Sequence, residues 1–305
     1  MTPPGADYQQ TGAKAGVAAA IACPVIWGVT PVYFHYLAKL GVAEALAQRA
    51  LWAAILLFLC VLPFGYAAPI ASIFKNRRMV IKLLMASSLV ALNWGTFLVA
   101  VAQENLVASS FGYFIYPLMA ICIGVFWLNE KLTPQSWCAV ALAGIGVLYK
   151  AFILGGVPWI ALILGASFAL YALLRKQMEA DPVAAMVAEL LLLAPVALIA
   201  LLIISYAGAQ PTSSFFFDGS AYGVIMAISS GIVTAIPLVL FHIGNRALPL
   251  SMTGFLFYIN PTLQLMVGLF IFAEPFSYHE LGAFCLIWLG LILYLSQPKS
   301  AKKMA

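Results

Sequence analysis

Ten long apolar stretches, separated by short polar breaks, dominate this sequence. The hydrocarbon core of a bilayer is about 30 Å thick, and a helix of about 20 residues crosses it. Because lipid offers the backbone no hydrogen-bond partners, a segment of that length crosses as a helix. The sequence therefore predicts an all-α integral membrane protein with ten transmembrane helices. The predicted spans lie near residues 16–38, 44–64, 79–102, 106–128, 135–153, 157–176, 183–206, 220–244, 250–272 and 278–296.

The composition excludes a soluble protein. Hydrophobic residues make up 64% of the 305 residues and charged residues only 8%, whereas soluble domains carry about 25% charged residues. The net charge of +5 does not indicate a nucleic-acid partner, because the basic residues lie in short loops and in the C-terminal tail. The five cysteines fall within apolar stretches and form no CxxC pair. They are interpreted as packing residues rather than as disulfides or metal ligands.

The distribution of lysine and arginine predicts the orientation in the membrane, because cytoplasmic loops carry an excess of both. If the N-terminus is cytoplasmic, twelve basic residues fall on that side, and two, Lys39 and Lys150, fall on the other. Both termini are therefore predicted to be cytoplasmic, which requires an even number of spans. The twelve are Lys14, Lys75, Arg77, Arg78, Lys82, Lys131, Arg175, Lys176, Arg246, Lys299, Lys302 and Lys303.

An internal repeat relates the two halves of the chain. Residues 111–146 and 255–290, compared at a shift of 144 without gaps, agree at nine of 36 positions. Since five spans is an odd number, the second copy would enter the membrane inverted, as in many secondary transporters. The predicted division is a first five-helix repeat, 1–153, and a second, 154–305, with a short cytoplasmic tail. The identities that apolarity does not explain include Pro117/Pro261, Gly124/Gly268, Glu130/Glu274 and Gly146/Gly290.

Prolines interrupt several of the predicted spans. A proline inside a helix removes one backbone hydrogen bond and clashes with the preceding turn, so it bends or breaks the helix. The freed carbonyl needs another partner or a water-lined cavity at membrane depth. We interpret four prolines as hinge or gating positions: Pro31, Pro117, Pro237 and Pro261.

Polar and aromatic residues follow one helical face around each of the two repeat-related prolines. This face predicts a substrate cavity between the halves. The alternative is hydrogen bonding between helices without substrate contact, which polar side chains in membrane helices often provide. The face comprises Ser109, Tyr113, Tyr116 and Ala120 in the first copy, and Thr253, Phe257, Asn260 and Gln264 in the second.

Arg49 and Glu189 are the charged residues that the sequence places well inside spans. A charge within the bilayer is costly and usually faces the protein interior, often paired. We hypothesise that the two are pseudo-symmetric partners, or that each binds a charged group of a substrate. The alternative is a structural ion pair between the halves. As the acid inside a predicted span, Glu189 is also the predicted route for any coupled proton.

Further residues of the cavity are predicted from their depth in the spans, the alternative being interfacial anchoring or packing. One face of the first span, for example, carries Trp27, Thr30 and Phe34. His242 and the loop residues Glu130 and Glu274 are assigned structural roles, the glutamates at helix ends. The complete set of predicted substrate-contacting residues is Trp27, Arg49, Asn93, Trp94, Tyr113, Tyr116, Tyr171, Glu189, Asn260 and Gln264.

Several motifs are absent from the sequence. There is no GxxxxGK[ST] phosphate-binding loop, no HExxH and no GxSxG. The sequence therefore predicts neither an ATP motor nor a hydrolase; the chain is predicted not to be an enzyme and to need no cofactor or metal.

Five stretches carry a resemblance to a known family. They read PVIWGVTPVYF at 24–34, QRALWA at 48–53, LNWGTFLVAVAQENLVASSFGYFIYP at 92–117, GVPWIALILGASFALYALLRK at 156–176 and TGFLFYINPTLQLMVGLFIFAEPF at 253–276. The chain resembles the drug/metabolite transporter superfamily, its EamA-type branch and, within it, the RarD-like permeases. The resemblance implies two five-helix repeats, a central cavity and alternating access. That group usually has asparagine before the first-half proline, where this chain has Tyr116, with Asn260 at the second-half equivalent.

The resulting prediction is a secondary transporter, a permease or exporter, of a small organic metabolite or drug-like compound in the bacterial inner membrane. The alternatives are a channel-like facilitator, a lipid-flipping carrier, or a membrane protein with only a binding or regulatory role. The expected partners are a small-molecule substrate, the lipid bilayer and, as a hypothesis, a coupled proton.

Overall fold

The computed structural model describes residues 4–38, 41–103, 106–153, 159–206 and 221–297; for 4–13, 106–109 and 153 it describes the backbone alone. Within these ranges the secondary structure is helical, without strands. The α-helices are α1 Pro4–Val29, α2 Pro31–Ala38, α3 Val42–Val61, α4 Ala67–Lys75, α5 Arg77–Ala102, α6 Leu106–Phe126, α7 Pro134–Ile153, α8 Trp159–Lys176, α9 Pro182–Tyr206, α10 Ala221–Ala247, α11 Leu250–Phe257, α12 Ile259–Phe270 and α13 Tyr278–Leu295, and a 3-10 turn, Leu62–Phe64, follows α3.

The all-α membrane fold is confirmed, but the count of ten spans is not. In the described part of the chain, eight helices are long and apolar enough to cross a bilayer, with α11 and α12 together forming one of them. Residues 14–29 of α1 and helix α2 form a ninth candidate, bent by 43° at their junction. The apolar segment Ser110–Phe126 of α6 is shorter. Its place as a tenth span stays a prediction.

The sequence repeat reappears as a repeated backbone turn. Among the described non-glycine residues, two have positive φ: Asn129 at 56° and Ala273 at 51°. They lie 144 residues apart, after α6 and after α12. In each turn the following glutamate donates its backbone N–H to a glycine carbonyl, Glu130 to Gly124 at 2.9 Å and Glu274 to Gly268 at 3.0 Å. The sequence identities at these positions thus mark the same chain reversal in both halves.

Helices α7 and α13 cross through a reciprocal contact of small residues. A Cβ added to Gly146 would lie 2.6 Å from the carbonyl oxygen of Ala283, and one added to Gly290 would lie 2.7 Å from that of Ala139. The 144-residue shift exchanges these two contacts. Helices at equivalent positions of the two halves also pack together: α3 with α9, and α6 with α11 and α12. The predicted boundary at 153/154 adjoins residues 154–158, outside the described ranges, and stays a prediction.

Two of the predicted hinge prolines lie next to helix breaks. Pro31 begins α2 directly after the break that ends α1, and Pro261 follows the break at Tyr258 between α11 and α12. At that second break the Tyr258 N–H donates to the carbonyl of Phe255 at 3.2 Å, a tighter turn than an α-helix makes. Both positions therefore interrupt the regular helix, as a proline is expected to do.

The other two, Pro117 and Pro237, lie within the uninterrupted helices α6 and α10. Of the repeat-related pair Pro117 and Pro261, only the second therefore adjoins a break in its helix. The two copies of the repeat differ at this point, and the hinge roles of all four prolines stay predictions.

Glu130 holds the start of α11, as its assigned structural role predicts. Its carboxylate accepts the backbone N–H of Leu250 at 2.6 Å and that of Ser251 at 2.8 Å. The first N–H groups of a helix have no partner within the helix, and a negative charge there is favourable. A Cβ at Gly124 would lie 2.6 Å from Glu130 Oε2, so the glycine makes room for the carboxylate.

We expect Glu130→Ala to lower the free energy of unfolding by about 1–2 kcal/mol, because two N–H groups lose their acceptor. Glu130→Gln keeps one acceptor oxygen and should lose less. Thermal unfolding of the purified variants in one detergent measures both changes. Equal stability of Glu130→Ala and the parent protein would contradict this role.

Candidate functional site

A small cavity, with about 30 Å³ of space for water-sized groups, lies between helices from both halves of the chain. Seven of the ten predicted substrate-contacting residues line it: Trp27, Arg49, Asn93, Trp94, Tyr113, Asn260 and Gln264. The other lining residues are Thr30, Phe34, Phe97, Phe168 and Phe257. The remaining three predicted residues, Tyr116, Tyr171 and Glu189, lie outside the lining. The side chain of Ser109 lies outside the described residues.

Among the described residues of the cavity lining, Arg49 is the charged one. Its side chain is buried, and its Nε donates to Thr234 Oγ1 at 3.2 Å. The guanidinium carbon lies 4.2 Å from the ring centroid of Phe34 and 4.3 Å from that of Trp94, so cation–π contacts hold it from two sides. Its Nη1 has no hydrogen-bond partner among the described residues. The hypothesis that Arg49 pairs with Glu189 is wrong, because Glu189 pairs elsewhere.

The amides of the cavity fall into two kinds. Both the nitrogen and the oxygen of the Asn93 amide form hydrogen bonds. Its Nδ2 donates to the Leu164 carbonyl at 2.9 Å and to Ser167 Oγ at 3.1 Å, and its Oδ1 accepts from the Tyr113 hydroxyl at 3.2 Å. This is the interhelical bonding that the sequence left open as the alternative. Gln264 donates to Asn260 Oδ1 at 3.0 Å, but its own Oε1 is buried without a partner in the described part of the chain.

Aromatic rings form much of the cavity wall. The ring centroid of Trp27 lies 5.5 Å from that of Phe168 and 5.8 Å from that of Phe257. Tyr116 packs behind these two phenylalanines, 4.9 Å from Phe168 and 4.6 Å from Phe257, instead of lining the cavity. It therefore supports the wall.

Sequence reasoning missed two residues of the lining, Phe97 and Phe168. Phe97 lies one helical turn after Asn93, and Phe168 lies three residues before Tyr171. Helical spacing from the predicted residues could have found both, because residues three or four apart share a face. Phenylalanine gives no polar signal in an apolar span, so it was indistinguishable from residues that face lipid.

Tyr171 and Glu189 belong to a buried cluster outside the cavity lining, together with Arg175 and His242; we call it the Arg175–Glu189 cluster. Glu189 Oε2 lies 3.3 Å from Arg175 Nη1, and the Tyr171 hydroxyl donates to Glu189 Oε1 at 3.0 Å. His242 joins them, with its Nδ1 3.3 Å from Arg175 Nε and its Nε2 2.8 Å from the Tyr171 oxygen. Because Arg175 donates to Nδ1, the proton of the neutral imidazole sits on Nε2 and is donated to Tyr171. All four side chains are buried.

This cluster lies between the first cavity and a second one. Phe168, in the wall of the first cavity, has its ring 5.7 Å from that of Tyr171. On the other side, Arg175 and His242 line a larger, open cavity of about 450 Å³ beside the turn that follows α8. The cluster thus contacts the wall of the first cavity through Tyr171 and lines the second through Arg175 and His242.

Comparison with known proteins places the chain in a family. The EamA-like transporter family matches residues 14–150. An uncharacterized transporter of Pseudomonas aeruginosa is 36% identical over 270 residues, covering 88% of this chain and 89% of that protein. The chain belongs to the EamA-like transporter family. Protein RarD of Streptomyces exfoliatus is 35% identical over 88% of this chain and 84% of its own length, and protein RarD of Escherichia coli is 31% identical over 95% and 96%.

As a RarD-like member of the EamA-like transporter family, the chain is a multi-pass bacterial membrane transporter. A chain in a solved crystal structure is 15% identical, with a TM-score of 0.64 over 92% of this chain and 96% of that chain. At this identity the likeness shows a shared fold alone.

Proposed function

We propose that this EamA-like transporter carries a small organic solute by alternating access, with the cavity beside Arg49 as its substrate site. The observation that carries the proposal is a cavity lined by polar and aromatic residues of both halves, whose wall contacts the Arg175–Glu189 cluster, which in turn lines a second cavity. Binding sites of transporters lie between repeats near the membrane midplane. Helices of both halves line this cavity, which supports the proposed role.

The Arg175–Glu189 cluster acts as a closed gate in this proposal. Basic residues near the second cavity, Lys176 and Arg246 among them, support a cytoplasmic location for that end, with both termini cytoplasmic in the bacterial inner membrane. The substrate would reach the cytoplasmic side when the cluster separates. Proton coupling through Glu189 stays a hypothesis, and it requires the ion pair with Arg175 to open.

A carrier and a channel-like facilitator differ in their flux. The purified protein is first screened against metabolites and antibiotics, including chloramphenicol, for compounds that raise its unfolding temperature. These compounds are then tested for flux in proteoliposomes. Chloramphenicol is included because a Pseudomonas aeruginosa relative, 27% identical, is named chloramphenicol-sensitive protein RarD. A carrier accelerates uptake when the same compound is loaded inside. Flux without this acceleration would favour the facilitator, and movement of labelled lipid alone would favour a lipid-flipping carrier.

A larger side chain in the cavity should strongly reduce the transport rate. Thr30 lines it, and we expect Thr30→Phe to reduce the initial flux by about tenfold or more, equal to about 1.4 kcal/mol in the barrier. Ser88→Phe is the matched control, because Ser88 is exposed on α5. Unfolding temperatures of both variants show whether the fold is retained. Unchanged flux in a folded Thr30→Phe variant would remove this cavity from the transport path.

A further inference from the structure

We propose that the cavity selects a small organic anion: a single carboxylate on a planar, largely apolar body. This inference rests on the proposed function, since it names the substrate class of the same cavity. Its basis is the Arg49 side chain, which is buried in the lining, and the absence of any acidic residue among the described residues of that lining.

The two arginines that are buried in the described part of the chain provide the comparison. Arg175 has a carboxylate partner, with its Nη1 3.3 Å from Glu189 Oε2. Arg49 has Thr234 and two aromatic rings, but no acidic partner among the residues that the structure describes. A charge at membrane depth is costly unless it is paired or hydrogen-bonded. A bound anion would give Arg49 an ionic partner, as Glu189 does for Arg175.

The contacts of Arg49 leave one guanidinium nitrogen without a hydrogen-bond partner among the described residues. Stacking between Phe34 and Trp94 holds the guanidinium, and the bond to Thr234 occupies Nε. Nη1 stays without a hydrogen-bond partner within the described ranges. A guanidinium donates from a rigid planar fork that matches a carboxylate, so a held arginine is suited to this group.

The rest of the lining indicates which uncharged groups a ligand of this cavity would carry. Aromatic rings, including Trp27, Phe168 and Phe257, line the cavity and suit contact with a planar, apolar group. The Oε1 of Gln264, unpartnered among the described residues, is an acceptor for one N–H or O–H of the ligand. With no acid in the described lining, a ligand ammonium has no ionic partner, which favours a monoanion over a cation.

Three indole compounds test this selection, because they share one ring system and differ in charge: indole-3-acetate, indole-3-acetamide and tryptamine. Binding to the purified full-length protein is measured by calorimetry. We expect indole-3-acetate to bind more tightly than the other two. Arg49→Gln should weaken its binding by about thirtyfold or more, with much less effect on the amide. Arg49→Lys keeps the charge without the fork, and should give an intermediate loss.

The outcomes separate this inference from the proposed function. Any one of three results overturns the anion selection. These are equal or tighter binding of the amide or of tryptamine, no binding of any of the three compounds, and unchanged indole-3-acetate binding in Arg49→Gln. The comparison of ligands on the parent protein stays decisive if Arg49→Gln does not fold. Selective anion binding without flux in proteoliposomes would support the anion site and contradict the transport function. Flux of neutral compounds alone would support the transport function and contradict the anion site.

Discussion

Replacing Arg175 with methionine is expected to lower the free energy of unfolding by about 3–5 kcal/mol, because Glu189 would remain buried without its ionic partner. Glu189 is fully buried, and its carboxylate contacts Arg175 and Tyr171. Thermal or denaturant unfolding of the purified protein measures the loss. Lys82→Met is the control, since Lys82 is exposed on α5.

The double variant Arg175→Met/Glu189→Met should recover much of this stability, because well-packed apolar side chains can replace a buried ion pair at little cost. If the pair is also the gate, the double variant should favour the state open to the second cavity. Thr30→Cys, added to it, should then react faster with a membrane-impermeant maleimide from the cytoplasmic side. Unchanged labelling would leave the pair a structural role only.

The second large effect is expected at Gly231, where α10 meets α3. A Cβ there would lie 2.5 Å from the carbonyl carbon of Trp52 and 2.7 Å from the amide nitrogen of Ala53. Backbone atoms cannot move aside as a side chain can. We therefore expect Gly231→Ala to separate the helices and to cost about 3 kcal/mol or more. Thr234, one turn further along α10, would also move away from Arg49, to which it is bonded.

Gly144→Ala is the matched control for this substitution. No heavy atom outside its own helix lies within 4 Å of a Cβ at Gly144 among the described residues. Alanine is the better helix former by about 0.5–1 kcal/mol, so this variant should be neutral or more stable. Unfolding temperatures of both variants check the pair. A Gly231→Ala variant as stable as Gly144→Ala would contradict the close packing of α3 against α10.

Much of the site could be predicted from the sequence because polar residues are rare in membrane spans. Arg49, Asn93, Asn260 and Gln264 stand out against their apolar neighbours, and all four line the cavity. Tyr171 and Glu189 stood out in the same way but belong to the Arg175–Glu189 cluster. A polar residue in a span indicates that it faces the protein interior. It does not indicate which interior site it faces.

The membrane-embedded helical fold, the family and the 144-residue repeat could all be read from the order of the residues. They follow from local hydrophobicity and from residues such as Gly146 and Gly290, whose small size the reciprocal contact of α7 and α13 requires. Which charges meet became known only from the packing of the helices. Glu189 pairs with Arg175, and Arg49 lies between two aromatic rings. Such pairing depends on how helices distant in the chain pack, and spacing along one helix carries no information about its neighbour.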